Sequence, residues 1–266
     1  MELKDAHVLV TGASRGIGAA ICRELHARGA KLTLVARDAQ KLQELADELG
    51  GANVLPADLI DPEALGTLIA RAEQTGGPVD ALVNNAGIDE AGLFWEMDPA
   101  GLRRLIDLNV LAAMELSRQV LPGMVERGKG HIVNLSSLAS VGVFPGLAAY
   151  SATKAALSHF SAGLRADLKG LPVGVTNAQV GFVFPTDMAD NIFKYEPAAR
   201  AKKRFDKLGL LPDTDRDKFA AAVVAGMASG KRHVLRPRRS LMLAKLAEST
   251  RRMTEQVLAG VPAREK

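Results

Sequence analysis

The sequence predicts an α/β fold in which a doubly wound, seven-stranded parallel sheet carries helices on both faces. Short apolar runs alternate with helix-like segments, a glycine-rich turn follows the first run, and 47% of the 266 residues are hydrophobic against 24% charged. Strands that alternate with helices predict a parallel sheet covered on both faces. Because the crossovers between parallel strands are right-handed, the sheet is expected to be doubly wound. A net charge of only +4 on so apolar a chain excludes a disordered protein.

Four strands are predicted in the first half of the chain, each a short apolar run bounded by turn or capping residues. They are His7–Val10, Lys31–Val35, Ala52–Pro56 and Val79–Val83. The helices between them are Gly16–Gly29, Asp38–Leu49 and Asp61–Thr75. Ile17, Ile21 and Leu25 recur at helical spacing in the first helix. Asp38 suits the N-cap of the second, and Pro62 suits the first position of the third.

The second half continues the alternation. Its predicted strands are His131–Leu135, Val173–Gln179 and His233–Leu235. Its predicted helices are Ala148–Lys169, Asp215–Met227 and, within Asp98–Arg127, one or two more. We therefore expect one domain over residues 1–235, with a mobile substrate lid at about 186–214 and a C-terminal extension over 236–266.

The composition narrows the functional classes. Cys22 is the single cysteine, which excludes an intramolecular disulfide and a multi-cysteine metal site, and the five histidines lack ligand-like spacing, so no metal is expected. The sequence has no run of 18 apolar residues that could span a membrane and no apolar stretch typical of a signal peptide at its N-terminus. We expect a cytoplasmic protein.

The positive charge of the chain lies in its C-terminal extension. Residues 236–266 hold eight Lys and Arg against three Glu, which leaves +5, so the other 235 residues sum to −1. No helix-turn-helix, zinc-finger or basic-aromatic motif accompanies this charge, and nucleic-acid binding is therefore not expected. Ser240–Leu258 predicts a basic amphipathic helix. This segment could pack on protein as a helix, contact an anionic membrane peripherally as a helix, or be disordered. The sequence leaves these three alternatives open.

A glycine-rich turn follows the first strand, with Gly12, Gly16 and Gly18 in the order G-x-x-x-G-x-G. Glycines permit a tight turn and a close backbone approach, and the helix that follows offers unpaired N–H groups to a phosphate. The spacing differs from the common G-x-G-x-x-G fingerprint of dinucleotide sites. The alternative is a plain strand-to-helix turn.

The end of the second strand indicates which dinucleotide is bound. NAD sites usually place an acid there for the ribose 2′-hydroxyl, whereas Arg suits the 2′-phosphate of NADP. Here Ala36 offers no carboxylate, Arg37 offers a guanidinium, and Asp38 is assigned to the helix cap. Arg15, in the glycine-rich turn, projects towards the same place. Two guanidinium groups can clamp a phosphate, so NADP(H) is expected over NAD(H) unless both are solvated surface arginines.

Tyr150 and Lys154 are four residues apart on a predicted helix and share one face. A free tyrosine has a pKa of about 10, and a nearby ammonium lowers it towards the range useful for acid–base catalysis. Ser137 follows the fifth strand, at the sheet edge where α/β proteins hold ligands. Its hydroxyl could bind a carbonyl oxygen while Tyr150 supplies the proton. The alternative for the Tyr–Lys pair is a surface pair on an amphipathic helix.

Over roughly residues 5–190 these motifs together resemble the short-chain dehydrogenase/reductase family, whose domain is a Rossmann fold. Thr11–Gly18 is similar to its cofactor loop, Asp58 to its adenine-facing acid and Asn84–Gly87 to its NNAG segment. The catalytic residues implied are Asn109, Ser137, Tyr150 and Lys154. The cofactor contacts implied are Gly12, Ser14, Arg15, Gly16, Ile17, Gly18, Arg37, Asp58, Leu59, Asn85, Ala86, Gly87, Tyr150, Lys154, Gly181, Val183 and Thr186.

The resemblance also implies roles for the catalytic residues. Tyr150 is the general acid/base, and Lys154 lowers its pKa and holds the nicotinamide ribose. Ser137 orients the substrate oxygen, and Asn109 holds a water that links Lys154 to solvent. The loop after the sixth strand departs from the family pattern: Val180 replaces the expected proline, and Pro185 stands where the threonine is expected, with Thr186 one residue later.

The function that the resemblance implies is hydride transfer between NADP(H) and a carbonyl or alcohol group. Many aromatic and apolar residues fall in segments expected around the pocket: Phe94, Trp95, Phe144, Phe182, Phe184, Phe193, Tyr195, Phe205 and Leu208–Leu211. An apolar ketone, lipid or steroid-like substrate fits this composition, although the same residues could fill the core or close the lid. Oxidation with NAD(P) and a non-catalytic NADP(H) sensor are the alternatives. By analogy with the family, a homodimer or homotetramer is expected.

Overall fold

The computed structural model describes residues 1–184, 186, 192, 194–209 and 212–237. Its strands are β1 (His7–Thr11), β2 (Lys31–Ala36), β3 (Asn53–Pro56), β4 (Ala81–Asn84), β5 (Gly130–Ser137), β6 (Val173–Val180), β7 (Val183–Phe184), β8 (Thr214–Asp215) and β9 (His233–Arg236). Its α-helices are α1 (Gly16–His26), α2 (Ala39–Glu48), α3 (Pro62–Gly76), α4 (Pro99–Ile106), α5 (Ala112–Glu126), α6 (Ala148–Asp167), α7 (Glu196–Lys207) and α8 (Arg216–Ala228).

Seven strands form one parallel sheet in the order β3-β2-β1-β4-β5-β6-β9. Apolar residues of α1, α2 and α8 pack on one face of this sheet, and those of α3, α5 and α6 pack on the other. The predicted seven-stranded, doubly wound fold is therefore confirmed. The chain order reverses between β1 and β4, and in open parallel sheets ligands bind at this switch point, beyond the carboxyl ends of the strands.

The helices largely begin and end where their sequence signals predict. Asp38 caps α2 by accepting a hydrogen bond from the Lys41 backbone N–H at 3.1 Å, and Pro62 is the first residue of α3. The first helix is shorter than predicted and ends at His26.

The segment predicted as one or two helices is two, α4 and α5, joined by a π-helical turn over Asp107–Leu111. A π-turn inserts one extra residue into a helix and is frequent at functional sites. The turn contains Asn109, which is buried.

A second sheet of two parallel strands, β7 and β8, is absent from the sequence prediction. Two-residue strands leave too short an apolar run to recognise. This sheet ties the segment after β6 to the start of α8, so that both ends of the predicted lid are joined next to the cleft.

No helix in the described part of the chain combines the length and apolar character needed to cross a membrane. Within those same residues, no three His, Cys, Asp or Glu side chains come together as metal ligands. The predicted amphipathic helix at 240–258 lies outside the described residues.

Candidate active site

A cleft of about 890 Å³ opens at the carboxyl edge of the main sheet. The predicted site residues that line it are Gly12, Ser14, Arg15, Gly16, Ile17, Arg37, Asp58, Leu59, Asn85, Ala86, Gly87, Ser137, Tyr150, Lys154, Gly181, Val183 and Thr186. Gly18 and Asn109 do not line it. We call the part bounded by the loops after β1 to β4 the cofactor side, and the part bounded by Phe144, Leu147, Phe182 and Ile192 the substrate side.

The glycine-rich turn depends on its glycines for two different reasons. Gly12 has φ +63°, and a Cβ there would lie 2.8 Å from Asn85 Nδ2 and 2.9 Å from Ala86 Cα. A Cβ on Gly18 would lie 2.1 Å from the Gly12 carbonyl oxygen. Gly18 therefore permits the tight packing of the turn, whereas Gly12 allows the backbone to approach the loop after β4.

Thr11 and Asn85 hold the ends of β1 and β4 together. The Thr11 hydroxyl accepts hydrogen bonds from the backbone N–H groups of Asn85 and Ala86, each at 3.0 Å. The Asn85 amide donates to the carbonyls of Thr11 at 2.9 Å and Gly12 at 3.1 Å. The open crevice at the switch point is thus built from polar contacts that the N-N-A-G sequence supplies.

The cofactor side ends in a group of cations. Arg15 and Arg37 are both exposed and both line the cleft, while the Asp38 carboxylate is engaged in capping α2. Lys41 lines the same region. Asp38 also lines this end of the cleft, but its carboxylate caps α2 and lies 3.6 Å from Lys41 Nζ. Two arginines and a lysine therefore outnumber the one carboxylate here, which fits a phosphate next to the ribose.

Arg216 also lines the cleft and was missed by the sequence analysis. It is the first residue of α8, immediately after β8, and its Nε donates to Asp217 Oδ1 at 2.9 Å. It also borders α1 at Ala20 and Arg23. No sequence motif marks this residue, because the pairing of β7 with β8 brings it to the cleft from far along the chain.

Ser137, Tyr150 and Lys154 come together at the boundary of the two sides. Ser137 ends β5, Tyr150 lies in the first turn of α6, and Lys154 follows one turn later. The Tyr150 phenol and the Ser137 hydroxyl are hydrogen-bonded to each other. The Lys154 Nζ lies 5.8 Å from the centroid of the Tyr150 ring and donates to the Leu135 carbonyl at 3.1 Å.

A buried polar network fixes α6 against the sheet beneath this cluster. The Ser136 hydroxyl donates to the Lys154 carbonyl at 2.9 Å and lies 2.8 Å from the Ser158 hydroxyl. Asn177 on β6 donates to Ser158 at 3.2 Å. Buried hydrogen bonds of this kind favour one packing arrangement, and here they fix the register of α6 and with it the positions of Tyr150 and Lys154.

Burial dominates the protonation of the Tyr–Lys pair. It raises the pKa of Tyr150 to about 12, against the lowering effect of the Ser137 hydrogen bond, and the Asp89 charge raises it further. It lowers the pKa of Lys154 to about 8. The sequence analysis expected the ammonium to lower the pKa of the phenol; in this structure the net shift is upward, because desolvation disfavours the charged form of each group.

Asn109 lies behind the cleft. Its side-chain amide donates to the Ile88 carbonyl at 2.9 Å and to the Thr153 hydroxyl at 3.1 Å, and its Oδ1 accepts from the Ile88 N–H at 2.9 Å. Thr153 in turn donates to the Tyr150 carbonyl at 2.7 Å. Asn109 thus joins the loop after β4 to the helix that carries Tyr150.

The loop after β6 keeps its predicted place at the cleft. Gly181 donates its backbone N–H to the Arg236 carbonyl at 3.0 Å, which ties the loop to the end of β9. The Thr186 hydroxyl donates to the Val183 carbonyl at 2.8 Å. Pro185, at the position of the expected threonine, lies outside the described residues.

The substrate side is apolar, but only some of the predicted residues form it. Phe144 and Phe182 line the cleft, and their ring centroids lie 5.9 Å apart. Phe205 packs on Phe144 at 5.5 Å from behind. Phe94 and Trp95 are 57% and 77% exposed and do not line the cleft, which corrects the expectation that they surround the pocket.

The remaining aromatic and apolar residues of that prediction lie elsewhere. Phe184 is part of β7, the Tyr195 ring lies against Gly146, and Leu208 is exposed. Phe193, Leu210 and Leu211 lie outside the described residues.

The predicted lid contains α7, which is anchored to the substrate side by a buried lysine. Lys202 pairs with Asp206 and with Asp213, the latter at 2.8 Å, and its Nζ lies 5.6 Å from the centroid of the Phe182 ring. Although burial acts to lower the pKa of Lys202, the hydrogen bonds to the two aspartates raise it. The ammonium therefore stays charged and holds α7 to the cleft wall.

Comparisons with known proteins agree with this geometry. The model of the short chain dehydrogenase family matches residues 6–197. Ketoacyl reductase HetN of Nostoc sp. is 38% identical over 185 residues, which make up 68% of this chain and 64% of that protein. The NADP-dependent 3-hydroxy acid dehydrogenase YdfG of Shigella flexneri is 36% identical over 213 residues, or 77% of this chain and 84% of that protein.

Among solved structures, a short-chain dehydrogenase from Sphingobium yanoikuyae in complex with NADPH aligns with a TM-score of 0.78 at 28% identity. The alignment covers 98% of this chain and 98% of that one. The chain therefore shares its architecture with that protein over nearly the whole length of both.

Proposed function

Since the chain belongs to the short-chain dehydrogenase family, we propose that it is an NADP(H)-dependent oxidoreductase that reduces a carbonyl group on a mainly apolar substrate. One observation carries this proposal: the hydrogen-bonded pair Ser137–Tyr150, with Lys154 beside it, lies between the two sides of the cleft. The cofactor side contains arginines, and the substrate side is apolar. Carbonyl reduction requires a proton donor and a dinucleotide-binding site in the same cleft.

The cofactor side supports the binding of NADP(H). The glycine-rich turn and the start of α1 receive the diphosphate, and Arg15 and Arg37 clamp the 2′-phosphate. Arg216, from the opposite wall, adds a third guanidinium that we assign to the diphosphate, because it borders α1 rather than α2. The relative YdfG is NADP-dependent and the structural neighbour from Sphingobium yanoikuyae holds NADPH, which is consistent with the same preference here.

Further contacts to the cofactor come from the loops around the crevice. The adenine contacts Leu59 and the carboxylate of Asp58. The nicotinamide amide contacts the backbone of Val183. The other predicted contacts, Ser14, Ile17, Asn85, Ala86, Gly87, Gly181 and Thr186, line the crevice between these ends. Gly18 and Asn109 support the site from behind.

When bound, NADPH supplies the hydride that reduces the carbonyl carbon. Ser137 donates a hydrogen bond to the carbonyl oxygen and orients it, and Tyr150 delivers its phenolic proton to the same oxygen. Lys154 binds the ribose hydroxyls and stabilises the phenolate that remains, and Asn109 holds the water through which the proton is replaced. Because burial raises the pKa of Tyr150 to about 12, the phenol enters the reaction protonated.

The finer properties of the protein remain proposals. Ile106, Leu111 and Met114 are exposed apolar residues of α4, the π-helical turn and α5, respectively. They support the homodimer or homotetramer expected from the family. Residence in the cytoplasm stays a prediction. Peripheral membrane contact through the C-terminal extension at 236–266 also stays a prediction, and residues 238–266 of this extension lie outside those described.

The test is turnover by the purified full chain of a panel of apolar ketones with NADPH, run alongside the corresponding alcohols with NADP+. We expect ketone reduction to be the faster reaction at neutral pH. NADPH binding without turnover of any ketone or alcohol would favour a sensor and refute the proposal.

A further inference from the structure

Among the described residues, the carboxylate of Asp89 interrupts the apolar lining near the catalytic cluster. It lies two residues after Gly87 and lines the same cleft as Tyr150, Phe144 and Phe182. Its side chain is half-buried. The sequence analysis did not single it out, because no motif includes it.

The backbone holds Asp89 in a fixed place relative to the catalytic residues. Asn109 binds both the N–H and the carbonyl of Ile88, the residue just before it, at 2.9 Å each. Asn109 is joined through Thr153 to the helix of Tyr150. The Asp89 charge is also near enough to raise the pKa of Tyr150. Asp89 is therefore held in the wall of the same cleft as Tyr150.

This carboxylate lacks a counterion within the part of the chain that the structure describes. Its own backbone N–H is its hydrogen-bond donor, and burial together with the neighbouring Glu90 raises its pKa. Removing a carboxylate from water without a partner costs free energy, so such a group is best satisfied by a donor that a ligand brings.

We propose that Asp89 selects substrates that carry a hydrogen-bond donor, a hydroxyl or an ammonium, next to the reacting carbonyl. This inference rests on the proposed carbonyl reduction. A ligand donor can satisfy the carboxylate in the cleft, whereas a plain alkyl ketone takes it further out of water without supplying a donor. A substrate carboxylate at the same place would meet a like charge. The substrate class is then an apolar ketone with an adjacent donor, and 3-keto acids are disfavoured.

The test uses matched ketones R–CO–CH2–X, in which R is one apolar group and X is methyl, hydroxyl, ammonium or carboxylate. Initial rates with saturating NADPH give kcat/KM for the wild type, Asp89→Asn and Asp89→Leu. Glu90→Gln is the matched control, because it removes the adjacent charge from a side chain that does not line the cleft. NADPH affinity is measured for every variant.

A hydrogen bond to a charged group corresponds to about 10- to 100-fold in kcat/KM. We expect the wild type to favour hydroxyl and ammonium over methyl by that factor. Asp89→Leu should remove the preference, and Asp89→Asn should improve the carboxylate substrate. Glu90→Gln should keep the preference, because removing the Glu90 charge favours the ionised form of Asp89. Comparing hydroxyl with ammonium shows which donor is used.

Equal kcat/KM for the methyl and donor ketones in the wild type would overturn the inference while leaving carbonyl reduction in place. So would a change in NADPH affinity in the Asp89 variants that accounts for the lost preference. Failure to reduce any member of the series, with NADPH bound, would instead refute the proposed function and this inference with it.

Discussion

The two sides of the cleft differ in how they are built. The cofactor side consists of short loops at the ends of parallel strands, fixed by backbone and amide contacts such as those between Thr11 and Asn85. The substrate side combines aromatic side chains from distant segments, fastened by the Lys202 ion pairs. From this difference we infer that the residues for the chemistry common to a family are positioned by the ends of the strands. Substrate selection instead depends on packing between segments that lie far apart in the chain.

The largest effect expected is that of Tyr150→Phe, at the boundary between the two sides. Loss of a general acid typically costs about 10²- to 10⁴-fold in rate. We expect kcat for ketone reduction to fall by that factor, because the ring stays and only the proton donor is lost. NADPH affinity, measured by fluorescence titration, should be unchanged. Turnover close to that of the wild type would remove Tyr150 from its catalytic role.

Substitution of three arginines tests which phosphate group of the cofactor each of them binds. Loss of a charge-assisted hydrogen bond weakens binding by about 10- to 100-fold. Arg15→Ala and Arg37→Ala should weaken NADPH by that factor and leave NADH unchanged, because NADH lacks the 2′-phosphate. Arg216→Ala should weaken both alike, because the diphosphate is common to both.

Calorimetric titration with the two dinucleotides makes this measurement. Arg118→Ala is the control, since Arg118 is an exposed arginine paired with Glu115 on α5 and away from the cleft. A loss confined to NADPH in Arg216→Ala would move Arg216 to the 2′-phosphate. Wild-type binding that is no weaker for NADH than for NADPH would refute the preference itself.

The pH dependence tests Lys154. Burial lowers its pKa to about 8, so the ammonium is present below that pH and is lost above it. Because Lys154 binds the ribose in its charged form, kcat/KM for NADPH should fall as the pH rises through 8, by about tenfold per pH unit. A profile that stays flat to pH 10 would contradict the lowered pKa.

The smallest effect is expected on the substrate side. Lys202→Met leaves Asp206 and Asp213 facing each other without a cation, so α7 should open more often. Hydrogen exchange in α7 should accelerate and kcat/KM for ketones should fall by about two- to fivefold, with NADPH affinity unchanged. Lys203→Met, on the exposed face of the same helix, is the control. Equal exchange in both variants would show that Lys202 does not anchor α7.

The sequence by itself determined the sheet, the order of its strands and helices, and the polar residues at the strand ends. Asp38 shows why. A helix cap is a local contact that can be predicted from a residue and its neighbours, and in the structure Asp38 Oδ1 lies 3.1 Å from the Lys41 backbone nitrogen. Tyr150 and Lys154 share a helix, so spacing alone brings them together.

Only the tertiary structure decided which side chains face the cleft and how strongly they are desolvated. Phe144 lines it while Phe94 and Trp95 are exposed, although all three are aromatic, and Asp89 and Arg216 line it without any motif. The Tyr150 pKa rises because of burial that no spacing reveals. Exposure and desolvation depend on segments far apart in sequence, and local pattern does not encode them.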